Sequence, residues 1–126
     1  MNQLTCQTES PFEILIPLSV GIVLGWIVWS ASPFVTGQAE PWDSMAAYYS
    51  GSLFASGFLS SIFWKRGIYL GPIGIFIGQV AFIWILLGQG IPIFPAPLAV
   101  AVFGTIQPVA GAVLGWFAGP ALRTRE

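Results

Sequence analysis

The sequence predicts an all-α integral membrane protein with four transmembrane helices in an antiparallel up-down bundle. Composition and charge spacing are the two observations that predict it. Of the 126 residues, 56% are hydrophobic and 7% are charged, whereas a soluble domain carries about 25% charged residues. The four basic and five acidic residues cannot cover a soluble surface. High hydrophobicity with a net charge of −1 also excludes a disordered chain.

Three long uncharged stretches mark the predicted crossings: residues 14–39, 44–64 and 67–122. A helix needs about 20 apolar residues to cross the ~30 Å hydrocarbon layer, so the first two stretches hold one crossing each. The third holds two, which the Gly/Pro-rich segment 88–97 divides. The backbone must satisfy its own hydrogen bonds in lipid, which requires helices. We therefore predict a single membrane domain over residues 1–126, with spans at about 11–31, 44–64, 69–88 and 98–118.

Helix start and stop signals agree with these spans. Residues 10–13, Ser-Pro-Phe-Glu, have the pattern of a capping box in which the serine caps the first helix. Gly67 is placed to end the second span, and Gly119-Pro120 to end the fourth. Pro17 and Pro108 fall inside spans, where we expect each to kink or loosen its helix.

The basic residues predict the orientation. Lys65 and Arg66 lie in the second connection, and Arg123 and Arg125 lie near the C-terminus. With four spans these places share one side of the membrane, which the positive-inside rule assigns to the cytoplasm. We therefore expect both termini to be cytoplasmic, in a bacterial inner membrane or an internal energy-transducing membrane.

Small residues recur at intervals of three and four along the spans, which places them on narrow helix faces. Such faces let helices approach closely in lipid. The predicted helix-packing glycines are Gly21, Gly25, Gly67, Gly71, Gly74, Gly78, Gly104, Gly111 and Gly115. Three interpretations stay open: packing within the chain, contact with another subunit, or a groove for a lipid, pigment or quinone tail. All four spans have a face of small residues, which is more than an antiparallel hairpin needs for its own packing. The additional faces favour assembly with other helices.

Four polar residues are predicted near the bilayer midplane: Ser56, Gln79, Thr105 and Gln107. Their distance from the basic residues, at 1.5 Å rise per residue, gives this depth. One interpretation is a hydrogen-bonded cluster that holds helices together, with bonds of about 0.6 kcal/mol each. The other is a polar lining for a small neutral solute.

Aromatic residues gather towards the predicted span ends, which is typical of the belts that lie at headgroup level. This set comprises Trp26, Trp29, Trp42, Trp64, Trp116, Tyr48, Tyr49 and Tyr69.

The sequence lacks the residues that most often bind metal ions or form thiolate clusters. There is no histidine, and Cys6 is the only cysteine, so we expect no metal site, no catalytic residues and no cofactor. No acidic or basic residue lies deep in a span to relay protons or ions, and no basic run predicts nucleic-acid binding. We expect a non-catalytic subunit of a larger membrane complex, with lipid or pigment contacts. Its partners would be membrane lipids and other integral membrane subunits, or further copies of itself. The alternative is a homo-oligomeric channel or facilitator for a small neutral solute.

Overall fold

The computed structural model describes residues 10–37, 46–88 and 104–123, and in these ranges the chain forms four α-helices and no strand. The helices are α1 (Phe12–Thr36), α2 (Ala46–Ile62), α3 (Gly67–Gly88) and α4 (Ile106–Arg123). The all-α class is therefore as predicted. In the described ranges, two stretches are long and apolar enough to cross a bilayer, Phe12–Val35 and Gly67–Ile85. By length and composition, these two helices indicate a membrane protein.

The ends of α1 differ from the sequence prediction. The predicted capping box does not form, because Pro11 occupies the N-cap and no side chain caps the helix. Instead, the backbone N–H of Glu13 donates to the carbonyl of Ser10 over 3.0 Å. At the other end Gly37 takes a left-handed conformation, with φ at 74°, and its N–H donates to the carbonyl of Pro33. Glycine suits this position because it has no Cβ to clash there.

The predicted stops at Gly67 and at Gly119-Pro120 are wrong. Helix α2 ends at Ile62, and Gly67 is the first residue of α3 after a tight turn in which its N–H donates to the carbonyl of Trp64. Helix α4 continues through Pro120, since one proline removes a single backbone donor. Helix α4 begins later than the predicted fourth span; Gly104 and Thr105 form a turn before it, and residues 98–103 of that span lie outside the described ranges.

Helices α1 and α3 form a close parallel pair. A Cβ added to Gly21 would lie 2.5 Å from the carbonyl oxygen of Gly71 and 3.0 Å from the Cα of Gly74. One turn further along α3, Gly78 lies against the backbone of Ile22 and Trp26. The contacts advance in the same direction along both helices, so the two run parallel.

Helices α2 and α4 form a second parallel pair with the same kind of contact. Gly57 lies directly against the backbone of Pro108, and Gly111 lies against the backbone of Phe58. Further along, Gly115 meets the backbone of Phe58 and the hydroxyl of Ser61. The contacts again advance in the same direction along both helices, so α2 and α4 run parallel.

The two pairs meet where α2 contacts α1 and α3, and where α3 contacts α4. Helices α2 and α3 run antiparallel. Gly71 lies against Ser60 near the turn, whereas Gln79, further along α3, reaches back to Tyr49 near the start of α2. A small core forms where α1, α2 and α3 converge. It comprises the buried residues Val28, Tyr49, Leu53 and Ile75, with Leu24 packed against them.

Candidate functional site

Gln79 of α3 is a fully buried polar side chain, 0% exposed, that takes part in hydrogen bonds between helices. Its Oε1 accepts a hydrogen bond of 2.6 Å from the hydroxyl of Tyr49 and one of 3.3 Å from Nε1 of Trp29. One amide oxygen therefore joins α1, α2 and α3. We call Trp29, Tyr49 and Gln79 the Gln79 cluster.

For two members of this cluster, the predicted place in an aromatic belt is wrong. Trp29 and Tyr49 are predicted to lie in an aromatic belt, but they are 0% and 6% exposed. Burial is possible because each polar tip finds a partner in Gln79, as buried tyrosine and tryptophan require. The neighbouring Tyr48 keeps its hydroxyl paired too, by donating to the carbonyl of Val28 over 2.8 Å. Water at the headgroups and a buried acceptor can each accept the hydrogen bond of an indole or a phenol. The sequence alone therefore does not tell whether such a residue lies at the headgroups or in the protein core.

Further aromatic contacts fix Trp29 against α3. Its ring packs on Phe82 with centroids 6.0 Å apart, and Trp26 meets the same Phe82 edge-on at 5.2 Å. These contacts restrict the indole of Trp29 and so hold its N–H towards the amide oxygen of Gln79.

Among the residues that the structure describes, two buried amide atoms have no hydrogen-bond partner: Nε2 of Gln79 and Oε1 of Gln107. A buried polar group without a hydrogen-bond partner costs about 1–3 kcal/mol, and in proteins an ordered water molecule commonly acts as the partner. The amide oxygen of Gln79 thus accepts two hydrogen bonds, whereas its NH2 group finds no acceptor in the described part of the chain.

The predicted midplane residues occupy different places. The buried Ser56 donates to the carbonyl of Ser52 in its own helix over 2.7 Å. Gln107 lies in the first turn of α4 and precedes Pro108, whose backbone contacts Gly57 of α2. Gln79 pairs instead with Tyr49, which lies about two turns from Ser56 along α2.

The predicted packing glycines lie mostly inside the molecule. Gly21, Gly25, Gly74 and Gly78 are buried between α1 and α3, while Gly111 and Gly115 are buried between α2 and α4. Gly67 and Gly71 contact the α2 serines near the turn. Gly104 is also buried.

A groove between α3 and α4, which we call the α3/α4 groove, has a volume of about 560 Å³. Thr105 is the one predicted midplane residue that reaches it. The described lining residues are Ile68, Tyr69, Pro72, Ile73, Phe76, Thr105 and Val109. The walls are almost wholly apolar, with hydroxyls from a tyrosine and a threonine.

A smaller cavity of about 250 Å³ lies where the start of α1 meets the α2–α3 turn. Glu13, Lys65 and Arg66 line it together with two aromatic residues. Within the described ranges, no three acidic, cysteine or histidine side chains gather to form a metal site.

No protein-family model, curated protein or solved structure matches the chain.

Proposed function

We propose that the chain is a non-catalytic integral membrane protein that packs into a larger membrane complex as a structural subunit. In this proposal four helices cross the membrane as an antiparallel up-down bundle, with both termini in the cytoplasm. The membrane is a bacterial inner membrane or an internal energy-transducing membrane.

The observation that carries the proposal is the division between inner and outer faces. Glycines and serines line the helix contacts, whereas bulky apolar side chains point outwards. Phe34, Trp84 and Phe117 are 91%, 70% and 69% exposed. Soluble monomers rarely expose large contiguous apolar patches, and in lipid such side chains are in their preferred solvent.

The helix directions support an up-down arrangement. The α1/α3 contacts and the α2/α4 contacts each advance in parallel, while α2 and α3 run antiparallel across their turn. Successive helices along the chain therefore run in opposite directions. In such a bundle Lys65 and the C-terminal arginines lie on one side, which the positive-inside rule makes cytoplasmic.

The packing favours the outer helix faces as the surface that partner helices would bind. Since the glycine faces of α1 and α3 are buried against each other, assembly would use the bulky outer faces. Val23 and Ile27 of α1, which are 55% and 48% exposed, lie one turn apart on such a face. Aromatic and large apolar residues are typical of the centres of subunit interfaces.

A structural role for Gln79 is favoured over a solute lining. Its side chain is 0% exposed, and its carbonyl oxygen already accepts two hydrogen bonds. A lining residue must present its polar atoms to the passing solute. The channel alternative therefore finds less support in this geometry than the subunit proposal.

Cysteine labelling in intact cells tests the topology. Because Cys6 is the only cysteine, a Cys6→Ser background allows single cysteines to be placed at will. We expect a Lys65→Cys variant and an Arg125→Cys variant to react only after the cytoplasm is opened, and an Asp43→Cys variant to react from outside. Labelling of positions 65 and 125 from opposite sides would overturn the four-span arrangement.

Purification from the native membrane in mild detergent, followed by native mass spectrometry, tests the assembly. We expect a defined complex in which this chain binds other membrane subunits at fixed stoichiometry. A stable homo-oligomer that moves a neutral solute in liposomes would instead establish the channel alternative.

A further inference from the structure

We propose that the α3/α4 groove binds one acyl chain of an anionic phospholipid, with the lipid headgroup near Lys65. This inference rests on the proposed membrane location and adds a ligand class to it. It follows from the length of the groove, the chemistry of its walls and the charge at one end.

The length of the groove matches one leaflet. Along α3 its wall runs from Ile68 to Phe76, a rise of about 12 Å at 1.5 Å per residue. Half of the ~30 Å hydrocarbon layer is about 15 Å. An acyl chain that lies parallel to α3 would therefore fill the groove within a single leaflet.

The walls suit a hydrocarbon chain. Pro72 is buried at the base, and Ile73 and Val109, which are 50% and 46% exposed, form open sides. An extended chain gains dispersion contacts along such a channel, and lipid tails are as apolar as these side chains. The open sides admit a chain from the surrounding bilayer.

The headgroup end of the groove is basic. Ile68 and Tyr69 line the groove within one turn of the exposed Lys65, which precedes α3. Residues 67–122 contain no charged side chain, so neither α3 nor the adjoining part of α4 brings a carboxylate to this end. Glu13 faces Lys65 and Arg66 across the smaller cavity. Among these three residues the basic side chains outnumber the acidic one, and a local excess of positive charge attracts an anionic headgroup more strongly than a zwitterionic one.

A matched pair of α4 variants tests the groove. Val109→Trp places a bulky ring in the groove, while Val113→Trp makes the same change one turn later, at a position that is 39% exposed and does not line it. Both proteins and the wild type are transferred into lipid bilayer discs that contain equal amounts of phosphatidylglycerol and phosphatidylcholine. Native mass spectrometry after release then counts the retained lipids.

We expect the wild type and Val113→Trp to retain one phosphatidylglycerol molecule in preference to phosphatidylcholine. Val109→Trp should lose that lipid. A Lys65→Gln variant should reduce the preference about fivefold, which is the effect of one basic side chain near an anionic lipid. Equal retention by Val109→Trp and the wild type would overturn the proposal, as would retention of both lipids in equal amounts. A second copy of the chain seated on the groove would also overturn it.

The readout separates this inference from the proposed function. Each variant is also tested for extraction from membranes by alkaline carbonate. A chain that resists extraction but shows no lipid preference refutes the lipid site alone, whereas extraction of the wild-type chain refutes the membrane location as well.

Discussion

Gly25 offers a direct test of the close approach between α1 and α3. A Cβ at this position would lie 3.0 Å from the carbonyl carbon of Ile75, 3.1 Å from its Cα and closer still to its oxygen. Ordinary contacts begin at 3.4 Å, and the obstacle is backbone that cannot rotate aside. The helices must therefore separate, and overpacking of this kind costs about 1–3 kcal/mol. We expect the free energy of unfolding of Gly25→Ala to be lower by about this amount than that of a glycine-to-alanine control at an open helix position.

Gly51→Ala is the matched control. Gly51 lies inside α2, is exposed, and an added Cβ there would meet nothing within 4 Å. Both substitutions bring the same gain in helix propensity, about 1 kcal/mol, so their difference isolates the contact with α3. Unfolding in mixed micelles with increasing dodecyl sulfate, followed by circular dichroism, measures both variants. If Gly25→Ala is as stable as Gly51→Ala, the inferred contact between α1 and α3 does not exist.

Two further predictions concern the Gln79 cluster and the outer surface. In a double-mutant cycle, Tyr49→Phe and Gln79→Leu should show a coupling free energy of about 0.6 kcal/mol, the typical value for hydrogen bonds between helices in membranes; additive effects would mean that the two side chains do not interact. In liposomes with brominated lipid, the exposed Trp84 should be quenched and the buried Trp29 protected. We therefore expect Trp84→Phe to remove much more of the quenching than Trp29→Phe, and a reversed order would contradict the assignment of inner and outer faces.

The all-α class could be predicted from the sequence because composition and charge spacing are properties of segments about 20 residues long, and no single residue decides them. The absence of charge between residues 14 and 39, and again between residues 67 and 122, is typical of helices that lie in a bilayer or in a protein core. Of the two helices in the described ranges that are long enough to cross a bilayer, Gly67–Ile85 lies wholly in the second stretch, and Phe12–Val35 lies in the first except for its first two residues. The glycine spacing likewise marked residues such as Gly74 that lie at close helix contacts.

Local signals were less reliable at helix ends. The serine of residues 10–13 has the right spacing for a capping box, yet Pro11 takes the N-cap and the bond comes from the backbone. Gly119-Pro120 resembles a stop, but α4 passes through it. Such signals are worth about 1 kcal/mol each, so tertiary packing readily overrides them.

Composition and spacing by themselves determined that this chain forms apolar helices with small residues along one face. Only the tertiary structure decided which faces meet. The glycines could have met another subunit equally well, and Trp29 and Tyr49 could have stayed at the headgroups. Their partners lie 50 and 30 residues away along the chain at Gln79. Periodicity shows which residues share a face of one helix, but the neighbour of that face depends on how all the helices pack together.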